Sequence, residues 1–256
     1  MNHPRFGNPQ TIEQTMRSLK LGGMAKEWRN VEYHSYEQYM RELLDIEVKE
    51  REANRMTRMI KQAGFRVMKT LDDFVWKPGI ELPPSITREE IESTSFVTHK
   101  ENLVLMGSCG TGKTHLATAL ALNLCKKGRH IRFYTATGLA NILIERHQRG
   151  TLSSFMASLR KVELLVLDEI GFITLHKEAS ELLFQVVSDC YEQKSLIITT
   201  NLEFNQWNTV FGNDKLTAAM IDRLIHHSHI LVFSGPGHRL EESMKRQRRS
   251  RTQVDA

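Results

Sequence analysis

The sequence predicts an α/β fold, a parallel sheet of five strands covered on both faces by helices, with a small all-helical domain ahead of it. Three observations predict it. From about Thr98 onward, short apolar runs alternate with stretches of helical periodicity. One such run, "NLVLMG" (Asn102 to Gly107), opens into the glycine-rich "GSCGTGKT" and then into another helical stretch. Up to about residue 75 no strand pattern stands out, and the stretches there read as helices.

The elements follow in order. "TIEQTMRSLKLGGMAKEW" reads as a short amphipathic helix interrupted at Gly22 and Gly23. A longer helix starts at Ser35, with Gln38 in the capping-box position, and stops at Gly64. Tyr36, Tyr39, Met40, Leu43 and Leu44 give it an apolar stripe near its start. Farther along, Arg51, Arg55, Arg58 and Lys61 recur three or four apart and share a face. "KPGIELPPS", with Pro78, Pro83 and Pro84, is a joint. The strand candidates after it are "NLVLMG", "HIRFYTA", "LLVLDE", "SLIITTN" and "HILVFSG". The expected division is a helical domain over 1–75, a linker over 76–97, the α/β domain over 98–240 and a basic tail over 241–256.

"GSCGTGKT" has the spacing G-x-x-x-x-G-K-[ST] of a phosphate loop: Gly107, then Ser108, Cys109, Gly110 and Thr111, then Gly112, Lys113 and Thr114. The glycines let successive N–H groups turn inward onto phosphate oxygens. Lys113 brings a point charge to the outer phosphates, and the Thr114 hydroxyl is a magnesium ligand. The strand before and the helix after, with Leu116, Leu120 and Leu124 in register, are the context the motif requires.

"ELLVLDE" ends its strand on Asp168 and Glu169. Ligands of open α/β sheets bind at the carboxyl ends of the strands, so these carboxylates are expected beside the phosphate loop. Asp168 then holds the magnesium shell, and Glu169 serves as general base toward water; the plainer alternative is a pair of loop carboxylates. Asn201, at the tip of "IITTN", is placed to bridge the attacking water and the γ-phosphate, or else to cap a helix. Arg223 in "AAMIDRLIHH" and Arg239 in "GPGHRLEES" flank the last strand. An arginine reaching in from a neighbouring subunit accelerates hydrolysis by about 10³ to 10⁵. Taken alone, either is equally a surface ion pair.

Composition narrows the class. The 256 residues are 40% apolar and 25% charged, as in an ordinary globular protein. No apolar run is long enough to cross a bilayer, and "MNHPRFGNPQ" has no signal-peptide core. Cys109, Cys125 and Cys190 lack paired spacing, which fits a reducing cytoplasm rather than a disulfide or zinc framework. A formal charge of +5 hints at an anionic partner.

"GSCGTGKTHLA", "LLVLDEIG", "TTN", "MIDRL" and "HRLEES" occur in the order and spacing of the AAA+ ATPases. With "TMRSLKLGGMAKEW", "KTLDDFVW" and "KLTAAMIDRLIHHSHIL", the chain resembles the IstB family, helper ATPases of IS21-type insertion sequences that are similar to the helicase loader DnaC. The resemblance implies ATP and Mg²⁺ as cofactors and an ATP-dependent homo-oligomer, a ring or helix. It also implies binding to double-stranded DNA without sequence preference and presentation of that DNA to a separate transposase. It makes Arg223 a finger acting in trans and Arg239 a second sensor. His238 precedes Arg239 where the family usually carries an aromatic residue, which weakens the sensor assignment. The two helical stretches from Thr137 to Arg160 match the extra helix of the initiator and loader branch.

Charge nominates three DNA contacts: the stripe Arg51, Arg55, Arg58 and Lys61; the helix pair with Arg146, Arg149, Arg160 and Lys161; and the tail "KRQRRSR" with Lys245, Arg246, Arg248, Arg249 and Arg251. Each has a solvated surface as its plainer reading; Glu47, Glu50 and Glu52 dilute the first, while the undiluted charge of the tail resembles an interaction arm. "HHSH" (His226, His227, His229) has no acid or cysteine at ligand spacing and reads as structural. Trp28, Trp76 and Trp207 read as core or interface residues, and His115 as packed inside the phosphate-loop helix. A helicase loader, a small-molecule kinase and a non-hydrolysing scaffold are the rival functions.

Overall fold

A computed structural model describes residues 11–235 and 237. The chain divides into two compact units, Met1–Arg58 and Met59–Ala256.

In the first unit, α1 (Ile12–Ser18) begins in a capping box in which Thr11 and Gln14 satisfy each other's backbone N–H. The break expected at the glycines falls earlier. Lys20 takes a left-handed φ of 60°, and Gly22 and Gly23 instead begin α2 (Gly22–Glu27). Packing explains the shift. No side chain of its own caps α2. The buried Glu47, on α3 (Tyr36–Ala63), accepts the N–H groups of Gly23 at 2.8 Å and Met24 at 3.2 Å. A Cβ on Gly23 would stand 2.7 Å from the Glu50 carboxylate and 3.2 Å from the Glu47 Cα, so a larger residue would have to push Glu50 aside and ease α3 away. Burial works to raise the Glu47 pKa. The Arg51 guanidinium and the two N–H groups outweigh it and hold the carboxyl below its usual range.

α3 starts as expected, with Ser35 Oγ accepting Gln38 N–H at 3.2 Å, and ends before Gly64 in a left-handed turn. Its apolar stripe is a correction: of the five residues nominated, only Leu43 is buried, Tyr39 is half-buried, and Tyr36, Met40 and Leu44 are exposed.

The second unit is built on one sheet. Its strands are β1 (Ile80–Glu81), β2 (Asn102–Gly107), β3 (Ile131–Thr135), β4 (Leu164–Ile170), β5 (Ser195–Thr200) and β6 (Ser228–Phe233), in the order β1-β6-β2-β5-β4-β3. The five predicted strands are parallel. A sixth, β1, adds antiparallel to β6 from within the proline-rich joint. Side chains of successive strand residues enter opposite cores. Leu165, Leu167, Leu196 and Ile198 pack on one face with α7 (Ala136–Gln148), α8 (Leu152–Arg160), α9 (Lys177–Cys190) and α11 (Asp214–Ile225). Leu164, Val166 and Ile197 pack on the other with α6 (Lys113–Lys126), where Leu116, Leu120 and Leu124 are all buried as their spacing predicts. Short helices α4 (Arg88–Ser93) and α5 (Ser95–Thr98) precede β2, and α10 (Asn208–Phe211) precedes α11. Trp207 is fully buried.

One topological fact positions the site. β5 lies between β2 and β4, so the tip of β5 stands between the phosphate loop and the two carboxylates.

Candidate nucleotide site

Gly107 leaves β2 at φ 142°, and a Cβ there would meet the Phe233 carbonyl at 2.1 Å. Only glycine lets the loop pass under the end of β6. Gly237 does the same from the other side: its Cβ would stand 2.5 Å from the Cys109 carbonyl. The chain two residues before Arg239 therefore runs against the loop, while Arg239 itself lies outside the described residues.

Gly112, at φ 108°, delivers the chain into α6, so Lys113 and Thr114 are its first residues. The Lys113 ammonium donates to the carbonyls of Gly107 and Ser108, each at 2.6 Å. Burial pulls its pKa below the usual lysine range, with Cys109 and Asp168 opposing.

The carboxylates arrive through a bulge. β4 and β5 pair at Leu167–Ile198 and next at Ile170–Thr200, so Asp168 and Glu169 together face the single residue Thr199. Glu169 takes a left-handed φ of 61°. Consecutive residues of a regular strand point to opposite faces; here both line one cavity. Asp168 is buried, and its Oδ1 accepts the hydroxyls of Thr114 at 2.8 Å and Thr199 at 2.6 Å. Glu169 is exposed to the cavity, and its N–H donates to Thr199 Oγ1 at 2.9 Å.

The cavity holds about 520 Å³, within the range for small-molecule sites. The phosphate loop from Gly110 to Thr114, Asp168 and Glu169 form one part of its wall. Residues not nominated from sequence form another: Arg66, Lys69, Asp73, Phe74 and Lys77. His115 packs against that segment, with Nε2 3.1 Å from the Thr70 carbonyl and its ring edge-on to Phe74. "KTLDDFVW" carried the family resemblance, but nothing in its own pattern says that it lines a pocket. Thr199 had a weak signal, a hydroxyl directly after the apolar run Leu196 to Ile198 and two residues before Asn201.

Two oxygens at the loop's end, Thr114 Oγ1 and Asp168 Oδ1, stand side by side. That donor set suits magnesium, which takes one or two protein oxygens and keeps several waters.

The other nominees are placed as follows. Asn201 is exposed just past β5, its Oδ1 3.3 Å from where a Cβ on Gly171 would stand. Arg223 does not line the cavity. It sits in the last turn of α11, donates to the Ala219 carbonyl at 3.1 Å, and lies 4.8 Å over the Phe184 ring. Of the basic nominees, Arg51 pairs with Glu47, Arg149 with Glu145 and Arg160 with Asp189. Arg146 stands 5.8 Å over the Phe155 ring. Arg55, Arg58 and Lys61 are exposed and have no bonded partner among the described residues, and Lys161 is exposed. The tail residues Lys245, Arg246, Arg248, Arg249 and Arg251 lie outside the described residues.

The histidines need one correction. The fold brings Glu192, from the turn after α9, to within 3.5 Å of His227, with His226 alongside; all three are exposed. His229 is buried and bonds Ser85 and Glu101. Cys109, Cys125 and Cys190 are all free thiols. No helix among the described residues is long and apolar enough to cross a membrane.

The sequence pattern of the IstB-like ATP binding proteins matches residues 14–247. The ATP-binding protein named for insertion sequence IS5376 of Geobacillus stearothermophilus is 32% identical over 95% of this chain and 99% of its own. Its counterpart for IS21 of Pseudomonas aeruginosa is 34% identical over 82% of this chain and 79% of its own. Among solved structures, the DnaC helicase loader is 25% identical with a TM-score of 0.52, over 64% of this chain and 96% of that one. The replication initiator DnaA, bound to AMPPCP and single-stranded DNA, shares the fold with a TM-score of 0.54 at 22% identity, over 65% of this chain and 50% of that one. A phosphate loop and a carboxylate pair on a sheet with β5 between them, in a sequence matched over nearly its whole length, put this chain in the IstB-like ATP binding protein family, on an AAA+ fold.

Proposed function

We propose that the protein is an ATP-hydrolysing helper of transposition, which assembles on double-stranded DNA when ATP binds and presents that DNA to a separate transposase. One observation carries the assembly reading. The loop and both carboxylates converge on the cavity, while Arg223 is held against Phe184 outside it. Arg66, Lys69 and Lys77 line the cavity beside Lys113, and an arginine from a neighbour would add the charge that P-loop sites use at the γ-phosphate.

The division of labour follows from chemistry. Lys113 exchanges its loop carbonyls for the outer phosphate oxygens, and the loop N–H groups turn onto the same anion. Thr114 and Asp168 would hold Mg²⁺, which neutralises charge developing on the phosphates. Glu169 accepts a proton from the attacking water, and Asn201 orients that water. Arg239 would act as the second sensor. The neighbour's Arg223 stabilises the charge of the transferring group, so ATP closes the seam between copies and hydrolysis opens it.

DNA contact falls to basic side chains that read the backbone rather than the bases. Arg55, Arg58, Lys61 and Arg146 are exposed for it, and the three free cysteines suit a cytoplasmic setting. The DnaC likeness favours a second reading, a helicase loader built on the same core. The insertion-sequence relatives match over far more of the chain and favour transposition.

Glu169→Gln tests the scheme. The variant is expected to bind ATP, to lose turnover by about 10² to 10⁴, and to remain trapped on DNA in ATP. Rapid release from DNA in ATP would contradict it.

A further inference from the structure

We propose that Thr199 is a positioning residue of this site, its single hydroxyl fastening the carboxylate of Asp168 to the backbone of Glu169. The inference rests on the hydrolytic reading for its consequence in turnover, and on geometry alone for its other consequences.

A bulge leaves its extra residue without a partner across the ladder. Here two residues, Asp168 and Glu169, stand opposite one, and the Glu169 N–H has no strand carbonyl to meet. Thr199 Oγ1 accepts that N–H at 2.9 Å and donates its own hydrogen to Asp168 Oδ1 at 2.6 Å. A threonine hydroxyl has one hydrogen and two lone pairs. Its hydrogen is committed to an acceptor and one lone pair to a donor, so its rotation is fixed. Asp168 Oδ1 also accepts Thr114 Oγ1 at 2.8 Å. The result is a continuous chain: Thr114 at the start of α6, Asp168 on β4, Thr199 on β5, and back to the Glu169 amide.

The side chain is not there to fill space. Thr199 is 1% exposed, and the preceding positions of β5 are Leu196, Ile197 and Ile198. Valine has the same branched shape and would pack as well, so a hydroxyl at this depth is explained by what it bonds. Without it, Asp168 loses one of two donors, and the left-handed backbone that aims Glu169 loses its tie to β5. Asn201 follows just past the end of β5, so this one stretch of chain holds the Asp168 oxygen and the Glu169 amide and leads directly into the proposed water-orienting amide.

The test compares Thr199→Val, which removes the hydroxyl, with Thr199→Ser, which keeps it, in the full chain. Three readouts are followed: hydrogen exchange of the Glu169 amide, Mg²⁺ titration of binding of a fluorescent non-hydrolysable ATP analogue, and ATP turnover. In Thr199→Val the Glu169 amide exchanges faster. The Mg²⁺ needed for half-maximal binding rises about 10-fold and turnover falls about 10- to 100-fold, the usual range for losing a group that orients a metal ligand. Nucleotide binding without Mg²⁺ stays at the parent value, and Thr199→Ser restores all three readouts. A valine variant with the parent's amide exchange and Mg²⁺ requirement would overturn the proposal, as would a serine variant as impaired as valine. If the valine variant does not fold, Thr199→Cys, a weak donor and acceptor, is set against Thr199→Ser with the same expected contrast. A parent protein that does not turn over ATP would end the hydrolytic reading, while amide exchange and the Mg²⁺ titration would still decide Thr199.

Discussion

Asp168 and Arg55 are both charged side chains on regular elements, and they are held in opposite ways. Asp168 is buried, with two hydroxyls on one oxygen, supplied by α6 and β5. Arg55 stands exposed on α3 with no bonded partner among the described residues. The difference fits the roles proposed for each. Phosphoryl transfer needs oxygens and charges fixed before the reaction begins, which takes several elements acting on one group. Grip on a polyanion needs positive charge near a surface, and a long free side chain supplies it without a fixed geometry.

Arg223 gives the sharpest way to break this comparison, because it is a half-buried arginine outside the cavity assigned to the fixed kind of chemistry. It is already partly organised, between the Ala219 carbonyl and the Phe184 ring. Arg223→Ala is expected to lower turnover by about 10³ or more, with nucleotide affinity of the isolated chain near the parent value. Unchanged turnover would return Arg223 to the surface group and leave the cavity without its neighbour.

Glu47 is a buried carboxylate that serves structure rather than chemistry. Glu47→Ala leaves the Gly23 and Met24 N–H groups at the start of α2 without their acceptor. It is expected to cost about 1–3 kcal/mol in the N-terminal unit, read by urea unfolding and by faster exchange of those two amides. The pH dependence has a definite sign. The carboxyl is held below its ordinary value near 4.5, so its stabilisation is complete above that value and is lost as pH falls through the lower, folded one. The Ala variant should lose this acid-side dependence, and retention of it would remove Glu47 from the role.

The smallest effect belongs to the free stripe. Arg55→Ala with Arg58→Ala should weaken DNA binding a few-fold and reduce the salt slope by about 0.9 for each DNA phosphate that is no longer neutralised. Arg51→Ala should not behave like them, because Arg51 is paired to Glu47 at 2.7 Å and to the Lys20 carbonyl at 2.9 Å. A uniform loss across all three would mean that pairing does not separate them.

The same contrast divides what was legible in the sequence. "GSCGTGKT", the strand before it and the helix after it are contiguous, so local pattern specified them, as it did the five parallel strands and the cap at Ser35. The Asp168 and Glu169 pair was legible as a strand end. The bulge that turns both side chains to one cavity was not, because it depends on the register of β4 against β5. Thr199 acquires its partners only from that register. The Arg66 to Lys77 wall was hidden for a similar reason: it meets the loop across a long stretch of chain, and its residues show no period that marks a pocket. Around α2, local reading treated the glycines as a break, whereas Glu47 and Glu50, more than 20 residues away, crowd Gly23 at a helix start. Glu192 joins His226 and His227 across a turn that no spacing rule within one segment detects.

The central claim is that nucleotide joins copies of this chain on DNA, and sedimentation with duplex DNA tests it most directly. With a non-hydrolysable ATP analogue and Mg²⁺, the protein is expected to sediment as multimers carrying the duplex. With ADP, or with ATP once it is consumed, it should return to smaller species free of DNA. A chain that sediments as a monomer under every nucleotide condition, hydrolyses ATP at full rate and ignores the duplex would contradict the account.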